Sequence, residues 1–244
     1  MKIYVVGIGP GAKEEMTPRA VRALESSDYI VGYQTYIELI RDFFPRKPLL
    51  ATGMTGEIRR CELALEKALG GADVALISGG DSGIYGMAGI MLEVARRSGK
   101  KVPVEIIPGI TAASAAAAIL GAPLMHDFAV ISLSDRLTPW EKIRARIAAA
   151  AASDFVICLY NPQSKQRSGQ IGQAGEIIGR YRSGLTPTGV VRRAGRSGES
   201  YDLTTLERLA EVAIDMFTTV IIGNSRTYIK EGRMITPRGY FDER

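Results

Sequence analysis

Several residue types are almost missing from this chain of 244 residues, which has two cysteines, one histidine and one tryptophan. Cys61 and Cys158 lie far apart, in helix-like and strand-like contexts. Neither a disulfide framework nor a metal-ligand spacing follows from them, and a reduced, cytoplasmic protein is the expectation. No uninterrupted apolar run approaches the roughly 18 residues of a membrane-spanning helix. MKIYVV runs straight into a glycine turn with no small-residue cleavage site, so no signal peptide is expected. Low-complexity tracts and short-period repeats are also absent. What remains is 46% hydrophobic and 23% charged, a globular composition. Its length suits one large core or two of roughly 120 residues each. The formal charge of +5 favours anionic partners. Its cations are scattered in pairs such as Arg59-Arg60, Arg96-Arg97 and Arg192-Arg193, without interleaved aromatics. Nucleic acid is therefore not an expected partner.

Apolar β-rich runs alternate with helical periodicity. Strands are expected at 3–7, 28–33, 72–80 and 102–109, and helices at 18–26, 57–69, 87–97 and 111–120. Nearly continuous apolar strands alternating with helices predict an α/β fold with a largely parallel sheet covered on both faces. The turn-rich GAPLMHD (121–127) reads as the connection to a second α/β half, giving domains 1–122 and 123–244. Strands at 128–135, 154–162, 188–193 and 218–225 follow, with helices at 138–152, 169–182 and 206–216. Thr138 is the expected N-cap of the first of these, with Pro139 in its first turn.

GIGPGA (7–12) fits the dinucleotide template G-x-G-x-x-G/A, but two features oppose that reading. Pro10 has no N–H to offer a phosphate. The acidic residue that should end the second strand is absent, because that end reads Gly32-Tyr33-Gln34. Two further strands end in glycine-rich loops, SGGDSGIYGMAG (78–89) and PGITAASAAAA (108–118). In a parallel sheet such loops share the carboxyl edge, where ligands bind. Three loops of little side-chain bulk thus predict a shaped pocket.

Together, GIGPG, SGGDSGIYGMAG and PGITAASAAAAILGAPLMHDF resemble the tetrapyrrole methylase superfamily. ISLSDRLTPWEKI and FVICLYNPQSKQR narrow the resemblance to the precorrin-3B C17-methyltransferase family of cobalamin biosynthesis, which includes the cobalt-factor III enzymes. The resemblance covers essentially the whole chain. It implies two α/β domains, the second with a mixed sheet, and S-adenosylmethionine folded in the cleft between them, with S-adenosylhomocysteine as product. Carried over by motif, Pro10, Gly79, Gly80, Asp81, Ile84, Tyr85, Thr111 and Ala112 border the donor. Tyr160, Asn161, Gly189 and Val220 approach adenine. Superfamily members acting on uroporphyrinogen have methionine where this chain has Asn161. A homodimer is implied too, and no protein-bound metal.

Methyl transfer needs donor and acceptor held at near-contact distance, and an electron-rich reduced tetrapyrrole requires no dedicated strong base. Ring contraction does require proton movement, and Asp135, His126 and Tyr85 are the candidates. The acceptor is an anionic tetrapyrrole, with or without cobalt. Its carboxylates call for a basic rim, for which Lys165, Arg167, Arg192, Arg193 and Arg196 are candidates. The loops QSKQRSGQ and RRAGRSGES are candidates to close over it. Two other readings follow from the superfamily and the charge. One is a methyltransferase for rRNA or a translation factor, and the other is a non-catalytic tetrapyrrole carrier. The first lacks its basic, aromatic surface, and a carrier has no use for donor loops.

Overall fold

The computed structural model describes residues 1–163 and 169–241, and it divides into two compact units, Met1–Ala112 and Ala113–Arg244. The division falls ahead of the turn-rich 121–127 stretch, so the Ala-rich helix belongs almost wholly to the second unit.

The first unit runs β1 (Lys2–Gly7), α1 (Pro18–Ser26), β2 (Tyr29–Tyr33), α2 (Gln34–Ile40), β3 (Leu49–Thr52), α3 (Glu57–Leu69), β4 (Asp73–Ser78), α4 (Ala88–Arg97) and β5 (Val104–Ile107). Its strands lie in the order β3-β2-β4-β1-β5, all parallel. Successive side chains on a strand face opposite ways, which splits the core in two. Ile3, Val5, Val74 and Leu76 pack with Cys61, Ala64 and Leu65 of α3 and Met91 of α4. Val6, Ala75 and Ile77 pack with Ala20 and Leu24 of α1 and Ile37 of α2. Burial on both faces accounts for the unbroken apolar strands. Thr17 caps α1, its Oγ1 accepting the Ala20 N–H at 3.1 Å, and Pro18 occupies the first turn. The chain leaves β1 towards β2 on one side of the sheet, and leaves β4 towards β5 on the other. That reversal puts a topological switch point at the carboxyl ends of β1 and β4.

The second unit contains α5 (Ala112–Leu120, less its first residue), β6 (Gly121–Ala122), β7 (Phe128–Ser132), α6 (Trp140–Ala152), β8 (Val156–Tyr160), α7 (Gln170–Gly179), β9 (Pro187–Arg192), β10 (Ser200–Thr205), β11 (Thr218–Ile222), β12 (Tyr228–Lys230) and β13 (Arg233–Ile235). The order β10-β9-β11-β8-β7 makes a mixed sheet in which only β7 and β8 are parallel. A smaller sheet has the order β12-β13-β6. Ile143 and Ile147 of α6 and Ala174 and Ile178 of α7 cover one face of the main sheet. The other face takes Ala113, Ala116 and Leu120 of α5 against Cys158, Val191 and Ile221. Small side chains let α5 sit close, and a Cβ at Gly189 would lie 2.3 Å from Leu120 Cδ1.

Three details depart from the sequence reading. Pro139, not Thr138, holds the N-cap position of α6, in extended backbone and with no side-chain cap. The start of α6 is pinned instead by the Trp140 indole N–H, which donates to Gln173 of α7 at 2.8 Å. The helix expected over 206–216 is a 3-10 helix at Leu206–Glu211 only. Beyond it Asp215 takes the Phe217 N–H at 2.9 Å and the Thr218 hydroxyl at 2.8 Å, a local turn that competes with helix. Finally, α2, β3, β12 and β13 are short elements without a strong periodic signal, and β10 is a longer strand with few apolar residues.

Candidate functional site

The three glycine loops of the first unit meet at the carboxyl edge of its sheet. Gly9 and Gly80 exchange backbone hydrogen bonds of 3.1 and 2.8 Å, which laces the β1 and β4 loops together. This bridge spends the Gly9 N–H, a second physical reason why GIGPGA does not cradle a phosphate. Asp81 ties in the third loop, its Oδ2 accepting the Gly109 N–H at 3.0 Å and its Oδ1 the Gly83 N–H at 2.7 Å. Buried Ser82 adds a hydroxyl bond to the Ile107 carbonyl at 3.0 Å. No room exists for a side chain at Gly7 or Gly109. A Cβ on Gly109 would lie 2.3 Å from the Gly80 carbonyl oxygen, and one on Gly7 2.6 Å from the Gly109 nitrogen. Gly79 is forced differently, since its Cβ would stand 2.6 Å from the Tyr36 ring.

Pro10 is buried within this junction, while Thr111 and Ala112 are half-buried at the β5 loop's far end. Ile84 and Tyr85 project from the β4 loop, 41% and 59% exposed, and Tyr85 holds a left-handed φ of 53°. With Ile110 and Met54, also exposed, they line the carboxyl-edge loops with apolar surface. The unit therefore offers a tight glycine floor, an acidic group and apolar projections at one edge.

In the second unit, the carboxyl ends of the parallel pair β7 and β8 lie side by side. The Leu133 N–H donates to the Tyr160 carbonyl at 2.8 Å, and the Asn161 amide donates to Ser132 Oγ at 2.9 Å. Asn161 is exposed, with a φ of 52°. Tyr160 Oη accepts the Ala113 N–H at 2.6 Å, joining this edge to the start of α5. Asp135 follows β7 on the surface and accepts a bond of 3.3 Å from Gln170. His126 stands apart in the 121–127 connection, where its Nδ1 accepts the Asp127 N–H at 2.9 Å. The sheet does not bring Gly189 and Val220 to a common face. Gly189 lies under Leu120, whereas Val220 is fully buried in the core beneath α6 and α7. Packing thus occupies the Val220 side chain, which leaves its backbone as the part of the residue to meet a ligand.

Among the rim candidates, Lys165 and Arg167 lie outside the described residues. Arg192 is committed inside the sheet edge, where it pairs with Asp202 and donates to Ser200 and the Ala213 carbonyl, both at 3.1 Å. Arg196 stacks 5.5 Å from the Phe217 ring centroid, and Arg193 is exposed. A cavity of about 520 Å³ runs along β10 and the 3-10 helix, lined by Asp202, Thr205, Arg208 and Glu211 among others. Its charges are paired with protein partners, Asp202 with Arg192 and Arg208 with Glu211, and it borders none of the candidate site residues.

Sequence reasoning passed over one buried group near this edge. Arg60 of α3 is only 4% exposed. Its position four and eight residues before Ala64 and Ala68, both fully buried, marks it as facing the core, and that was the available signal. Burial lowers its pKa from the ordinary arginine value by disfavouring the charged form. Among the described residues no helix is long and apolar enough to cross a membrane.

Comparison with known proteins agrees with this architecture. Residues 2–210 match the family of Tetrapyrrole (Corrin/Porphyrin) Methylases. The chain is 51% identical to a probable cobalt-factor III C(17)-methyltransferase of Salmonella typhimurium, over 98% of this chain and 99% of that protein. It is 39% identical to a precorrin-3B C(17)-methyltransferase of a Sinorhizobium species, over 98% and 96% of the two chains. The crystal structure of the methyltransferase CobJ superposes with a TM-score of 0.90 at 34% identity, covering 97% of this chain and 99% of that one. Uroporphyrin-III C-methyltransferase from Thermus thermophilus, complexed with S-adenosylhomocysteine, shares the fold, with a TM-score of 0.71 at 24% identity over 91% and 97% of the chains.

Proposed function

The chain belongs to the tetrapyrrole methylase family, and from that premise we propose that it is an S-adenosylmethionine-dependent methyltransferase acting on C17 of cobalt-factor III, with ring contraction. The observation that carries the reading is the three-loop junction at the carboxyl edge of the first sheet. Gly7 and Gly109 close on each other and on the Gly80 carbonyl there with no space for a side chain, Gly80 holds a left-handed φ of 66°, and Asp81 ties the loops together. The 51% identity to a cobalt-factor III enzyme, against 39% to a precorrin-3B enzyme, favours the cobalt-containing acceptor, whose cobalt is part of the substrate.

The residues present fit the donor. Close-packed glycines present bare backbone, which lets a ligand approach without a side-chain clash. Each oxygen of Asp81 accepts one backbone N–H and keeps a second lone pair for a cationic ligand group. When bound, S-adenosylmethionine supplies an electrophilic methyl group and departs as S-adenosylhomocysteine. The chain orients and shields. Glycine loops fix the donor's approach, and Ile84 and Tyr85, which border the donor in the motif carry-over, are exposed enough to meet the apolar face of the macrocycle as well, with Ile110, and to keep water from the reacting carbon. Tyr85 and Asp135 stand on carboxyl-edge loops and are the proton-moving candidates for contraction; His126 is the third. Of the described rim candidates, Arg193 is the exposed one and is proposed for the macrocycle's carboxylates. The reading carries a cytoplasmic homodimer with it, and light scattering would then give twice the 26.4 kDa chain mass.

Labelled S-adenosylmethionine with either cobalt-factor III or metal-free precorrin-3B tests the reading. Label should enter the cobalt macrocycle in preference. Tight donor binding with transfer to neither would sink it.

A further inference from the structure

Arg60 is a buried cation that meets no carboxylate within ion-pair distance among the described residues. Its Nε–H donates to Thr52 Oγ1 at 2.8 Å, an Nη2–H to the Gly53 carbonyl at 3.2 Å, and an Nη1–H to Met87 Sδ at 3.4 Å. All three partners are neutral, and the sulfur is a weak acceptor. Stripping a guanidinium of water for so little return is a poor way to gain stability.

The partners show what the group connects. Thr52 and Gly53 end β3, and Met87 closes the glycine loop before α4. The guanidinium carbon also lies 5.7 Å from the Tyr33 ring centroid at the end of β2. Tyr33 meets Tyr36 edge-on at 5.5 Å, and the Tyr36 ring is what forbids a side chain at Gly79. One buried group therefore reaches both ends of the loop Gly79–Met87, directly through Met87 and through two edge-on tyrosines at Gly79. The donor-side part of that loop has separate anchors in the Gly9–Gly80 bridge and the bonds of Asp81. Gly83, Ile84 and Tyr85 are the exposed residues between; the Ala88 N–H closes that stretch on the Ser82 carbonyl at 2.9 Å, and Arg60 adds its hold on Met87 from the α4 side.

We propose that Arg60 is a positioning residue for the acceptor, holding the Ile84–Tyr85 segment in place through Met87 and the Tyr33–Tyr36 pair. The inference rests on the methyltransferase reading. It acts through the loop, and Arg60 itself touches no substrate.

The test is R60M, which fills similar space without the charge. The melting temperature should stay within about 2 °C of wild type or rise, since removing a buried, poorly compensated charge is often neutral or stabilising. Donor affinity by calorimetry should change by less than about threefold, because the Gly9–Gly80 bridge and the bonds of Asp81 hold the rest of the donor's border independently of Arg60, while kcat/KM for the acceptor falls by about tenfold or more. M87L removes only the sulfur acceptor in a volume-conserving swap and should cost about threefold in the same parameter. An R60M chain with wild-type kcat/KM overturns the inference. So does a chain whose melting temperature drops while its rate, measured where it is still folded, does not. If R60M does not fold, wild-type kinetics in M87L overturn it instead. A wild-type chain that transfers no methyl group defeats the functional reading itself, which separates that failure from this one.

Discussion

Each unit holds an arginine that meets no carboxylate within ion-pair distance among the described residues, Arg60 buried and Arg182 half-buried, and the two sit at opposite ends of their sheets. Arg182 donates to the carbonyls of Phe155 and Gly223 and, at 3.4 Å, to that of Ala150. These mark the entry of β8, the exit of antiparallel β11 and the end of α6, which is the edge away from Ser132, Tyr160 and Asn161. Arg60 instead holds a hydroxyl, a thioether and one carbonyl at the edge where the first unit's loops converge. Backbone carbonyls at strand ends are groups the fold must satisfy, so Arg182 is a staple. A thioether has no such need, so the grip of Arg60 serves the loop that carries Met87. Two arginines without an ion-pair partner thus do different work, and the groups they hold tell them apart.

The largest expected effect falls on the loop junction. Gly109→Ala places a methyl group against the Gly80 carbonyl and the Gly7 backbone. Backbone cannot rotate away as a side chain can, so a loss of more than about 3 kcal/mol in urea unfolding is expected, with no donor binding. Next, Arg182→Met leaves three buried-side carbonyls without their donor and should cost about 2–4 kcal/mol. R60M, read in the same urea titration, should cost close to nothing, and equal losses in the two variants would erase the distinction. Asp81→Ala should weaken donor binding more than about tenfold, or 1.4 kcal/mol, by releasing Gly83 and Gly109 together. Asp81→Asn retains acceptor oxygen and should fall between. Unchanged calorimetric affinity in Asp81→Ala would remove its role.

The smallest effect uses the buried thiols, one in each unit. Burial pushes Cys61 and Cys158 up to about 12. A raised thiol pKa favours the neutral form in the folded state. Its contribution is complete below the unfolded value of about 8.5 and is lost as pH rises towards the folded value. Both thiols should therefore ignore a disulfide reagent at pH about 8, and the urea midpoint should fall modestly as pH passes about 9. Rapid labelling of one thiol alone would show that its unit opens independently.

Much of this was legible beforehand because long apolar strands and periodic helices carry strong signals. α1 and α3 begin and end where their caps and apolar stripes place them. The second half was harder to read, since β10 is half-polar and the segment after Glu211 folds into a turn around Asp215. At the site, glycine and proline in GIGPG gave the right chemical sense, for backbone conformation and missing N–H groups are written in the residue type. The alternation of β9 and β11 bears on Gly189 and Val220 and was open to reading only once the strands were paired. Register pairs Gly189 with Ile221, which puts Val220 on the other face. Arg192 could not be judged from sequence at all, because its partner Asp202 arrives with the following strand.

The most direct test is nuclear magnetic resonance of the product formed from S-adenosylmethionine carrying a carbon-13 methyl group and cobalt-factor III. The account predicts one new labelled methyl at C17 of a contracted macrocycle. Label at another ring carbon, or none in a chain that binds the donor, would contradict it.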